Sequence, residues 1–100
     1  MTIRIIPSTG STPVGRVAEA ELHFNDGPLA GLKLIGFAVW ERRGGSGLNV
    51  TFPARSYSVN GERRSFALLR SLESQYGMEN QNRLRDLILA AYQDHITAAA

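Results

Sequence analysis

The side chains of this chain that could do chemistry are two histidines, nine carboxylates, a scatter of serines and eleven basic residues, with no cysteine among them. His23 and His95 lie 72 positions apart, and neither stands at metal-ligand spacing from another ligating residue. Glu19 and Glu21 share a strand face, yet no second carboxylate pair completes an acid–base or metal site. The serines lack the strand-turn-helix setting of a nucleophile elbow. Gly44-Gly45-Ser46-Gly47 is glycine-rich, but it lacks the Gly-Lys-Ser/Thr ending of a phosphate-cradling loop and reads as a hairpin connection. Without cysteine there is no thiolate nucleophile, no Cys-based zinc site and no disulfide framework, which suits a reducing cytosol. The inventory argues against an enzyme and calls for no cofactor or metal.

Charge placement is the remaining signal. The formal net charge is only +2, but it is unevenly spread. Residues 42–70 hold Arg42, Arg43, Arg55, Arg63, Arg64 and Arg70 against Glu62 alone, whereas the segments on either side are slightly acidic. Ten of the eleven basic residues are arginine, whose planar fork matches two phosphate or carboxylate oxygens at once. Trp40, Phe52 and Tyr57 stand close enough in the sequence to offer stacking faces beside them. The alternative is an arginine-rich rim that merely keeps the surface solvated.

Elements must position these arginines. Thr2 to Ile6 reads as a short strand stopped by Pro7, and residues 7–15 as a mobile, turn-rich loop. From Ala18 to Asn25 the chain alternates strictly: Ala18, Ala20, Leu22 and Phe24 face one way, Glu19, Glu21, His23 and Asn25 the other. After the Asn25-Asp26-Gly27-Pro28 turn, the apolar run Leu29 to Trp40 reads as a central strand buried on both faces, with Gly36 marking a bulge or a close backbone approach. Leu48 to Phe52 is the next strand, ended by Pro53, and Asn60-Gly61 suits a tight reversal before a further short strand at 64–69. Leu84, Leu87, Ile88, Ala91, His95 and Ile96 line one face of a helix over 79–97, with Asn80 as its N-cap. The expectation is one α+β domain spanning residues 1–100: an antiparallel meander of four or five strands with one C-terminal amphipathic helix. Its core would draw on Leu22, Phe24, Leu34, Phe37, Val39, Val50, Phe52, Leu84, Leu87, Ile88 and Ala91.

In that order the residues resemble the SpoVG family (stage V sporulation protein G). The resemblance rests on Ala20-Glu21-Leu22-His23-Phe24-Asn25-Asp26-Gly27, on the long apolar strand, and on Leu48-Asn49-Val50-Thr51-Phe52-Pro53-Ala54-Arg55. Gly61-Glu62-Arg63-Arg64 and the helix from Arg83 to Tyr92 continue it, so that it covers about residues 16–95. It implies a small sheet with one long C-terminal helix, a homodimer, and a bacterial cytoplasmic regulator of sporulation and septation that binds DNA or RNA. The family's basic Pro-x-Arg/Lys position falls on Arg55, while the next position, usually basic there, is Ser56 here. The family's His-Pro-Ile stretch is replaced by Leu68-Leu69-Arg70, with a longer approach to the helix over 71–77.

Three expectations follow. Arg55, Arg63, Arg64, Arg42, Arg43 and Arg70 would contact phosphates, with the first three converging on one edge. A small core with unpaired sheet edges favours a homodimer. No apolar run reaches the ~18 residues of a membrane span, and the N-terminus has no signal-peptide pattern, so no membrane partner is expected. The competing class is a protein-interaction module with neither nucleic-acid binding nor catalysis.

Overall fold

The computed structural model describes residues 1–9, 13–72 and 77–99; the middle of the expected 7–15 loop and residues 73–76 of the approach to the helix lie outside them. Strand β1 (Thr2–Pro7) pairs antiparallel with β2 (Arg16–His23), β2 with β3 (Lys33–Glu41), and β3 with β4 (Leu48–Thr51), in the sheet order β1-β2-β3-β4. Strands β5 (Ala54–Val59) and β6 (Glu62–Ala67) form a separate two-stranded sheet, and helix α1 (Gly77–Ala99) closes the described chain. The fold is α+β, as the alternating and helical periodicities imply. The meander is confined to the first four strands.

The alternation in β2 sets the inner face. Ala18, Ala20 and Leu22 are buried there, and across the ladder Phe37 and Val39 of β3 and Val50 of β4 complete the layer. Ile88 of α1 is wholly buried in the same cluster. The helix touches both edge strands, β1 and β4, so it covers the sheet across its width. Removing a side chain such as Ile88 or Val39 from water stabilises the fold by roughly 1.5–3 kcal/mol.

Several details differ from the sequence reading. Helix α1 begins at Gly77, so Asn80 lies inside its first turn, where its amide donates to Ser71 Oγ at 2.9 Å instead of capping. The buried stripe is rotated toward Arg85, Leu89 and Tyr92, which leaves Leu87 exposed and outside the core. Nor is the Leu29–Trp40 run buried throughout. Leu29 falls in a short 3-10 turn, Leu32 and Ile35 are more than half exposed, and only Phe37, Ala38 and Val39 are buried on both sides.

The expected irregularity at Gly36 is present and has two parts. Ala20 pairs with Phe37 and Leu22 with Leu34, so β3 spends an extra residue there: a bulge. Gly36 takes φ +108°, and a Cβ built on it would stand 2.8 Å from Pro53 Cβ. That contact seats buried Pro53, the residue immediately before β5, on the sheet. The Leu68 N–H donates to the Pro53 carbonyl at 3.0 Å, closing the neck of the β5–β6 hairpin just beyond its last ladder pair, Ala54 with Ala67. Beyond the neck, every residue of β5 and β6 except Ala67 is exposed.

Candidate nucleic-acid interface

The Asn60-Gly61 reversal determines which hairpin side chains meet. Val59 pairs with Glu62 across a two-residue loop whose members both take positive φ, 52° and 82°, the geometry of a type I′ turn. Counting outward, Tyr57 pairs with Arg64 and Arg55 with Phe66, and residues directly opposite share a face. One face of the hairpin therefore carries Arg55, Tyr57, Val59, Glu62, Arg64 and Phe66. The other carries Ser56, Ser58, Ser65 and Arg63, flanked by the two alanines at the neck.

The first face is a checkerboard of rings and guanidinium groups. Tyr57 and Phe66 lie 5.7 Å apart between ring centroids, tilted by 55°. Each is about two-fifths exposed, and each has an arginine directly across the ladder. Arg70, just past the neck, brings its guanidinium over the Phe66 ring at 5.7 Å while its Nε–H donates to the Ala67 carbonyl at 3.0 Å. Arg64 holds an exposed ion pair with Glu62 at 3.2 Å, a contact of little net worth in water. Arg70 also lines a shallow cleft of about 190 Å³ with Phe52, Leu69 and Leu84, which links this face to the N-terminal half of α1.

The six arginines singled out in the sequence are thus divided. Arg55, Arg64 and Arg70 are brought together. Arg63, expected to converge with Arg55 and Arg64, is carried to the opposite face by the period-two pleat. Arg42 and Arg43 sit in the β3–β4 connection beyond the Glu41–Leu48 pair, whereas the hairpin leaves the other end of β4. Of the expected stacking residues only Tyr57 is on the arginine face. Trp40 lies on the outer face of the sheet, its indole N–H donating to Thr51 Oγ1 at 2.8 Å. Phe52 packs edge-on against Phe37 at 5.3 Å beneath the Arg85 guanidinium. Phe66 was missed by the sequence reading, though counting residues outward from the Asn-Gly turn places it opposite Arg55.

A second polar group occupies the outer face of the sheet. His23 Nε2 lies 2.9 Å from Glu21 Oε1, and Lys33 Nζ approaches the same carboxylate at 3.3 Å. The hydrogen bond from His23 is the main reason the Glu21 carboxyl lies below its ordinary value; burial opposes it, and the hydrogen bond and charge of Lys33 add to the lowering. Among the described residues no cluster of three or more His, Asp or Glu is placed to hold a metal ion, and no helix is long and apolar enough to cross a membrane. The chain matches no family model, no curated protein and no solved structure.

Proposed function

We propose that this protein is a nucleic-acid-binding regulator of the SpoVG type, a bacterial cytoplasmic homodimer that grips phosphates through arginine and performs no catalysis. The observation that carries this reading is the β5–β6 hairpin, which stands clear of the core with Arg55 and Arg64 on one face and Arg70 at its root. Arginine suits phosphate because its charge persists at every physiological pH and its fork meets two oxygens together. Lone phosphate contacts carry no sequence information, so binding is weakly selective and strongly salt-dependent. A labelled mixed-sequence DNA or RNA titrated by anisotropy at several salt concentrations tests it. The expected result is an affinity that falls steeply as salt rises. Arg55→Ala lowers the slope of log K against log salt by about 0.7–0.9, whereas Arg83→Ala, on the exposed side of α1, leaves it unchanged.

A second reading is favoured by one observation: Leu32, just before β3, and Ile35 within it are 59% and 58% exposed, apolar surface that a protein partner could cover. Absence of any nucleic-acid affinity at about 50 mM salt, where phosphate contacts are strongest, would leave the protein-interaction module as the better account.

A further inference from the structure

Building on the nucleic-acid reading, we infer that the hairpin face binds unpaired nucleotides, with bases stacking on Tyr57 and Phe66 while Arg55, Arg64 and Arg70 hold the adjoining phosphates. Three observations converge on a single strand as the occupant. Both rings stand on the exposed face of a two-stranded ribbon, each about two-fifths exposed, and the cover on Phe66 is the solvent-exposed Arg70 guanidinium, which an incoming base would displace toward its own phosphate. A base can lie on such a ring only when it is free of its own neighbours, which a duplex forbids. The rings are offset by 5.7 Å and tilted by 55°, so they meet two different bases rather than two sides of one.

The charges complete the match. Arg55 stands directly across the ladder from Phe66 and Arg64 directly across from Tyr57, so each stacked base has a guanidinium beside it for its phosphate. Residues two apart along a strand are about 6.6–6.8 Å apart, so Arg55 is one such step from Tyr57, and Phe66 one step from Arg64. Arg70 extends the basic track from Phe66 toward the cleft at α1. Glu62 is the only carboxylate on the face, and its exposed pairing with Arg64 is weak enough for a phosphate to displace. The opposite face, with serines and Arg63 but no ring, offers no stacking surface.

The experiment compares a labelled single strand with the same strand annealed to its complement, and with a strand of the same length built from abasic sites. At equal salt the single strand is expected to bind at least about tenfold more tightly than either. Tyr57→Leu and Phe66→Leu keep apolar bulk on the hairpin but remove the planar ring, and each should weaken single-strand binding by roughly 5- to 150-fold while changing duplex binding less than about twofold. Tyr57→Phe restores the ring and should restore the affinity. Circular dichroism and melting of each variant separate loss of stacking from loss of the hairpin. Duplex binding as tight as single-strand binding, or leucine variants that bind the single strand as the wild type does, would overturn the stacking inference and leave phosphate binding intact, pointing instead to a ribbon lying in the major groove. No binding to any of the three probes would overturn both.

Discussion

Glu21 faces His23 and Lys33 across the outer surface of the sheet, and a carboxylate so placed ties folding to pH. Its folded pKa lies below the ordinary 4.5, first because His23 donates to it and then because of Lys33. A depressed carboxyl contributes stability that is complete above about pH 4.5 and is lost as pH falls through the lowered value. Melting temperatures of wild type and Glu21→Gln should therefore converge as pH drops below 4.5 and separate above it. A constant gap would show that this carboxylate is not the group responsible. At this scale the sequence was only partly legible. Residue types identified the arginines, but which of them share a surface depends on pairing register, and that put Arg63 on the other face of the hairpin from Arg55 and Arg64 while bringing in Phe66.

Elements were easier to read than their neighbours. The strict alternation of β2, the Asn-Gly turn and the 3.6-residue period of α1 are local signals, and all three elements are present. What local pattern does not encode is which side of an amphipathic helix meets a particular sheet, hence the exposure of Leu87. Ile88→Ala should lower stability by about 2–5 kcal/mol because it empties a wholly enclosed site, whereas Leu87→Ala should cost less than about 1 kcal/mol in the protomer. Denaturant titration distinguishes them, and equal losses would mean that the helix is rotated from the position described. The separation of β5–β6 from the meander also escaped the sequence, because it arises where Gly36 and Pro53 touch. Gly36→Ala combines a positive-φ alanine with a Cβ 2.8 Å from Pro53 Cβ, so a loss of roughly 1–3 kcal/mol from backbone strain alone is expected. Pro53→Ala should give no relief, since the clashing atom is a Cβ that alanine keeps. Thermal melting of the single and double variants decides the point.

For the molecule as a whole, the edges matter most. Strands β1 and β4 border the main sheet, and both hairpin strands have an open side. A domain of 100 residues buries a modest core, so pairing an edge with a second copy adds apolar burial and satisfies backbone groups together. Light scattering should give twice the 10.9 kDa chain mass at micromolar concentration, and a mass of 10.9 kDa would refute the homodimer. The meander has a further consequence in time. Each of its strands pairs with its neighbour in sequence, which allows the sheet to assemble from local contacts as the chain is made. Its cover arrives late. Ile88 follows Thr51 by 37 positions, an interval of about 2–7 s at the usual speed of a ribosome. Throughout that delay the face built from Ala18, Leu22, Phe37, Val39 and Val50 lies open to chaperones and to other nascent chains.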